Sequence, residues 1–502
     1  MIISHDLGTT GDKATLVDAD GNVVASTTAG YPVDFGPGGK AEQDAEAWWE
    51  AVCTATRALL ERVPEAAALV AGVSFSGQMM GAVLVDGAGD PVRPAIIWAD
   101  TRSTAQADQL IDRIGMDAGY RITGHRLNPT YSLTKVMWVR DTEPEVFARA
   151  RHLLLAKDFI VHRLTGQRVT DPSDASSTNA YDQSAGDWSA ELIEAAGLDR
   201  ALFPDVVPST TVVGRVTGRA AARTGLRAGT PVVLGGGDGP MGALGAGIVD
   251  AADGAYTYLG SSSWVSLAAD APLHDPLMRT MTFNHVVPGR YVPTATMQAG
   301  GASLQWIMET LAPGDETRYE RLLAGVAEVP AAADGLFFLP HLLGERSPYW
   351  NPRARAVFAG LARHHGPEHL TRAVVEGVGF NLYTGLLAFA ENSSANGGSG
   401  ERIERIDAIG GAANSEPLLR IFADLWGIPV WRRNLVDEAT ALGAAVVGGV
   451  GVGLFDDFDI ARRMSRRTLE CPPDLTAHER FLGGYRLFMD AYRRIEPWFD
   501  SL

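Results

Sequence analysis

Apolar and polar positions alternate from the first residues. Segments 2–6, 13–17 and 22–27 each read as a short strand, with Asp-Ala-Asp-Gly at 18–21 supplying hairpin chemistry between the last two. The period then lengthens. Trp48, Trp49, Val52, Leu59 and Leu60 recur at helical spacing and predict a helix over 44–63. Segments 69–75 and 82–85 return to strand spacing, and 101–202 reads mainly as helix and loop. An apolar strand at 231–234 runs into GGGDGPMGALGAG.

After residue 250 the pattern restarts. Segments 255–259 and 264–267 predict a second hairpin. A long helix is predicted over 368–391, with Leu370, Val374, Val378, Leu382 and Leu386 on one face. The Ser/Asn/Gly-rich stretch 391–400 reads as a surface loop, 406–409 as a strand feeding Gly-Gly-Ala-Ala-Asn, and 418–426 as a helix. Each half therefore opens with strand–turn–strand and continues as mixed α/β. A repeat of about 250 residues is too long for a solenoid. It predicts two similar domains, 1–247 and 248–502, facing each other across a cleft, where small-molecule sites are commonly found.

Bulk properties narrow the picture. A chain of 502 residues exceeds one ordinary core, and 46% hydrophobic with 21% charged residues is a globular mix. The net charge of −17, with no Lys/Arg run, argues against nucleic acid as a partner. An anionic ligand would need local donors such as backbone N–H groups. Cys53 and Cys471 form no metal-type spacing and no disulfide framework, which fits a reducing cytoplasm. The first residues carry no signal-peptide pattern. The apolar stretch 439–455 is short for a membrane span and rich in Gly, so a buried helix and turn are expected, and no membrane partner.

Three segments could carry chemistry. Gly8, Thr9, Thr10 and Gly11 follow Asp6 and could present N–H groups and hydroxyls to phosphate oxygens. Asp6 would repel phosphate unless a cation such as Mg²⁺ lay between them; an ordinary hairpin turn fits the same residues. Gly260-Ser261-Ser262-Ser263 repeats the arrangement, so two hydroxyl-rich turns could clamp a polyphosphate. Gly237, Gly239 and Gly242 match G-x-G-x-x-G. Asp238 at the first variable position would face a pyrophosphate, and Asp250 and Asp253 come too early to bind a ribose, which speaks against a nicotinamide dehydrogenase. Asp238 could cap the following helix, or accept a hydroxyl proton during phosphoryl transfer. No G-x-x-x-x-G-K-[ST] occurs.

Together, DLGTTGDK, SGQMMG, AIIWADTRS, GGGDGPMGALGAG, YLGSSS, GERSP, IGGAANS and EATALGAA resemble, in order, the motifs of the FGGY carbohydrate kinases, nearest the xylulokinase branch. The resemblance implies an α/β fold of two ribonuclease-H-like domains, of the actin and hexokinase type, around a cleft. It implies ATP and Mg²⁺, with phosphate passed to a hydroxyl of a small sugar or polyol. By motif, Asp238 would be the catalytic base and would share the metal with Asp6. Thr9, Thr10, Gly11 and Lys13 would hold phosphates, facing Gly260 and Ser261. Gly410, Gly411 and Asn414 would lie along the nucleotide. Gln78, Met79, Met80, Trp98 and Asp100, with Arg102 nearby, would line the sugar side.

Met80 stands where these kinases commonly carry His, and a thioether is a far weaker hydrogen-bonding partner than imidazole. D-xylulose is the leading substrate, with another ketopentose, a pentitol or a tetritol as alternatives. An actin- or chaperone-like ATPase without a sugar substrate is the competing class. Glu345 and Arg346 are expected to form a structural ion pair, and Asp238 to be ionised at neutral pH, given an ordinary Asp pKa of about 3.9. A homodimer is the expected assembly, and a hinge is expected near 235–250.

Overall fold

The computed structural model describes residues 1–395, 403–435, 437–499 and 501–502. Two seven-stranded sheets organise it. The first carries Ile2–Leu7 at its centre, antiparallel to Gly11–Val17 and parallel to Gly72–Gly77. Val23–Gly30 continues one side, Pro231–Val233 the other. The second sheet repeats this order. Ala255–Leu259 is antiparallel to Ser263–Leu267 and parallel to Ile406–Ile409, with Tyr291–Met297 and Val430–Arg433 outside them. The restart of the pattern after residue 250 is thus a duplicated topology.

Each half crosses from its antiparallel to its parallel strands through a helix. Ala45–Arg62 does so in the first half, capped by the Asp44 carboxylate accepting from the Glu46 N–H. Pro367–Ala395 does so in the second. The predicted loop at 391–400 is helix as far as Ala395; its remainder, 396–400, lies outside the described residues. Pro367–Asn392 is long and apolar enough to cross a membrane, but 89% of its most apolar window is buried inside the protein.

Alternation along the opening strands is explained by a cover on both faces. Ile3, Leu7, Ala14 and Leu16 pack with Trp48 and Val52 of the Ala45–Arg62 helix. Ile2 and Val17, pointing the other way, pack with Leu442 and Val446. Those last two belong to the helix Ala439–Gly451, the apolar stretch that mimics a membrane span. It follows a strand of the second sheet yet lies on the first. Its small residues permit this. A Cβ on Gly443 would come within 2.1 Å of the Met241 carbonyl oxygen, and one on Gly245 within 1.6 Å of that of Ala439, so this helix and Asp238–Gly245 meet backbone to backbone.

Candidate active site

Asp6 lies one residue before the end of the central strand of the first sheet, opposite Lys13 and Ser76. The turn that follows is closed by the Gly8 N–H donating to the Gly11 carbonyl at 3.0 Å. Tyr31 donates its hydroxyl to the Gly8 carbonyl at 2.6 Å, and Trp98 donates Nε1–H to Thr9 Oγ1 at 3.0 Å. Lys13 Nζ reaches across to the carbonyl of Asp437 at 2.8 Å.

Asp238 is the first residue of the helix Asp238–Gly245. The capping alternative is not what forms: Gly237 takes the cap position, and Asp238 Oδ1 accepts from the adjacent Gly239 N–H, at 2.8 Å. Its loop is fixed from behind. The Gly237 N–H donates to Ser173 Oγ at 3.0 Å, and Ser173 donates to Asp171 Oδ2 at 2.6 Å. Asp171 belongs to a fully buried cluster in which Lys157 Nζ lies 2.5 Å from Asp158, 3.0 Å from Asp171 and 3.3 Å from Asp174. Nothing in the sequence periodicity marks Ser173, Asp171 or Lys157 as one unit, because they come from two different helices of the insertion between parallel strands.

Asp6, Gly8, Thr9, Lys13, Met79, Met80, Trp98, Asp238 and Gly410 line one cavity of 730 Å³. Ser262, from the turn of the second hairpin, lines it too, between Tyr258 and Trp264, whose rings stack at 4.2 Å. Gly260 and Ser261 stand behind Ser262: their carbonyls accept from the Gly301 and Ala302 N–H groups, and the Ser261 side chain is exposed. Thr10, Gly11, Gly411 and Asn414 are likewise not among the lining residues, and Asn414 is exposed, its Nδ2 donating to the Gly411 carbonyl.

The residues expected on the sugar side divide in two. Met79, Met80 and Trp98 face the cavity, and the Met79 side chain fills the space that a Cβ on Gly237 would need. Gln78 and Asp100 turn into the protein. Gln78 Nε2 donates to Gln43 Oε1 at 2.8 Å. Asp100 accepts from the N–H groups of Ala41 and Arg102 and from Arg102 Nε, so its carboxylate is used up holding the loop it sits on. Arg102 bridges Asp100 to Glu42 instead of entering the cavity.

Glu345 and Arg346 form no ion pair with each other among the described residues. Glu345 Oε1 accepts from the backbone N–H groups of Gln298 and Arg346 at 2.9 and 3.0 Å. The Arg346 side chain turns the other way. Its Nε donates to Gln298 Oε1 at 3.0 Å, its guanidinium stands 5.5 Å from the Trp98 ring, and it lines the cavity. No carboxylate lies within 4.0 Å of it among the described residues. Thr440, Asp437, Met281, Phe283, Thr294 and Thr296 also line the cavity. Thr440 falls inside the quoted EATALGAA motif, the one signal that could have found it.

The electrostatics follow from this enclosure. Burial raises Asp238 to about 7, the nearby Asp6 adds to the rise, and the Gly239 N–H and Arg346 offset it in part. Asp238 is therefore not the ordinary ionised Asp that its sequence context suggests. Burial also raises Asp6, against hydroxyl donation from Thr440 and Ser76. Two carboxylates of raised pKa share the cavity with the Arg346 guanidinium and the Lys13 ammonium.

Two ribonuclease-H-like domains enclosing a cleft, with one acid near the end of the first central strand and another at a helix start, define the actin and hexokinase type of fold. The chain belongs to the FGGY family of carbohydrate kinases: the N-terminal domain of that family matches residues 1–245 and the C-terminal domain residues 255–452. It is 32% identical over 458 residues to the xylulose kinase of Lactococcus lactis, covering 91% of this chain and 89% of that one. Its fold matches the crystal structure of a ligand-bound xylulose kinase from Lactobacillus acidophilus with a TM-score of 0.93, at 26% identity, over 100% of this chain and 99% of that one. A gluconate kinase from the same organism matches with a TM-score of 0.92, at 26% identity and the same coverage.

Proposed function

We propose that this chain transfers the γ-phosphoryl group of Mg²⁺-bound ATP to a hydroxyl of a small ketose, D-xylulose first, to give D-xylulose 5-phosphate. The carrying observation is the placement of Asp238. It lines the cleft together with residues of both hairpin turns and with Met79 and Met80, and its pKa is near neutrality. A base so tuned can accept a hydroxyl proton and release it again at cellular pH.

The residues present fit the nucleotide and the metal. Asp6 and Asp238 are oxygen donors with no Lys or Arg within 4.0 Å of either among the described residues, the hard donor set that suits Mg²⁺. Thr9 and Ser262 bring hydroxyls to the cavity from the two halves. Gly410, at φ +89°, lines the cavity and packs so closely on the Leu259 backbone that a Cβ would come within 2.8 Å of it. Bound there, Mg²⁺·ATP supplies the phosphoryl group and neutralises charge as it transfers. Asp238 orients and deprotonates the sugar hydroxyl, Asp6 positions the metal, and Lys13 draws the Asp437 loop against the first turn. Closure about 235–250 would exclude water and favour transfer to sugar over hydrolysis.

One observation favours a second reading, an aldonate substrate. Arg346 offers a guanidinium to the cavity with no carboxylate within 4.0 Å among the described residues, and a gluconate kinase is among the structural neighbours. ADP formation measured over pentuloses, pentitols, tetritols and aldonates separates the two. The highest kcat/KM on D-xylulose supports the proposal, and the highest on gluconate supports the alternative. ATP hydrolysis unaffected by any sugar would replace both with an actin-like ATPase.

A further inference from the structure

Met80 lines the cavity with its backbone in the left-handed region, at φ +64°. That conformation is uncommon and unfavourable for a residue bearing a side chain. Such strain persists only where the surroundings over-determine it, and it gathers at ligand sites.

The surroundings here can be named. The Met80 N–H donates to Ser177 Oγ at 3.2 Å, and Ser177 is itself fixed by donating to the Asp174 carbonyl at 2.7 Å. The Met80 carbonyl accepts from Lys135 Nζ at 2.7 Å, and Lys135 also donates to the Thr130 carbonyl. One residue on, the Gly81 carbonyl accepts from Ser132 Oγ at 2.7 Å. Ser132 and Lys135 lie three apart at the start of the helix Ser132–Thr142, and so on one face of it.

Lys135 is an unusual choice for this task. It is 1% exposed and has no carboxylate within 4.0 Å among the described residues. An unpaired buried ammonium is costly, and burial lowers this one to about 7. A neutral amine still has two N–H bonds, one for each carbonyl that Lys135 holds.

We propose that Lys135 and Ser177 are positioning residues that clamp Met80 on both sides of its Cα, hold it left-handed, and thereby set which sugar fits against it. The kinetic consequence rests on the sugar-kinase reading; the structural one does not. The test uses Lys135→Met and Ser177→Ala, alone and combined with Met80→Gly, since glycine takes positive φ freely. With Met80 present, each variant is expected to raise the sugar KM roughly tenfold and leave kcat and the ATP KM within about threefold. In the Met80→Gly background the same changes should shift the sugar KM by less than about threefold, because no strain remains to be held. Equal shifts in both backgrounds would mark a general structural role and overturn the clamp. Crystal structures of the single variants give an independent reading. Met80 is expected at negative φ; Met80 unmoved overturns the proposal, whatever sugar the enzyme takes. Should Lys135→Met not fold, Ser177→Ala carries both readings. Should the parent enzyme turn over no sugar, the kinase reading fails, and the crystal structures alone decide the clamp.

Discussion

The Thr440 hydroxyl donates to Oδ2 of Asp6, joining residues 434 positions apart in the chain. Thr440 belongs to the helix that leaves the second domain to lie on the first sheet, so this cavity-lining acid is held by both halves of the chain. Thr440→Val keeps the shape and removes the donor. It should cost about 1–2 kcal/mol in urea unfolding and raise the Mg²⁺ concentration needed for half-maximal rate. An unchanged Mg²⁺ dependence would separate Asp6 from the metal.

Asp238→Asn should lower kcat by roughly 10²–10⁴-fold, the usual worth of a general base. ATP affinity, read by calorimetry, should change little. Near-normal turnover would take Asp238 out of the proton transfer.

The raised pKa of Asp238 sets two pH dependences of opposite sense. Below about 7 the base is protonated, so kcat/KM should fall about tenfold per pH unit. Stability runs the other way. The folded carboxyl titrates near 7, above the unfolded value of about 3.9, so its contribution to stability is complete below the unfolded pKa and is lost as pH rises through 7. Asp238→Asn should therefore raise Tm at pH 8 and do so less at pH 5. A Tm difference that ignores pH would contradict the buried, raised carboxyl.

Met80→His should shift relative kcat/KM toward D-xylulose, because an imidazole offers the sugar hydroxyls a donor and an acceptor where the thioether offers almost neither. An unchanged ranking across ketoses and polyols would mean that the sugar is held elsewhere in the cavity.

Lys157→Met leaves Asp158, Asp171 and Asp174 buried without their shared cation, a loss of about 3–5 kcal/mol in denaturant unfolding. Burial and mutual repulsion already hold Asp174 well above the usual carboxylate range, with Lys157 opposing. Ser173→Ala is the milder probe of the same path to Gly237. It should lower kcat more than it lowers stability.

Of the candidate residues, Asp6, Thr9, Lys13, Met79, Met80, Trp98, Asp238 and Gly410 line the cavity, most of them at strand ends, turns or a helix start. Their positions are set locally, by a two-residue strand period interrupted by glycine, which a sequence displays directly. The same holds for the two hairpins and for both crossover helices. Residues that share a motif with a lining residue were not separable from it. Gln78 sits beside Met79, and Asp100 two beyond Trp98, yet both turn inward to satisfy buried partners. Arg346 and Glu345 are adjacent and opposite in charge, but each finds a better partner across the fold.

By itself the sequence determined the alternation that makes each sheet, the duplication of that pattern, and the glycines that let backbones touch. Tertiary structure alone decided that the helix Ala439–Gly451 crosses to the first sheet, that Thr440 meets Asp6, that Lys157 gathers three carboxylates, and that Asp238 titrates near 7. The physical reason is range. Strand period and turn chemistry act over a few residues, whereas desolvation and the pairing of buried polar groups depend on which distant segments close around them.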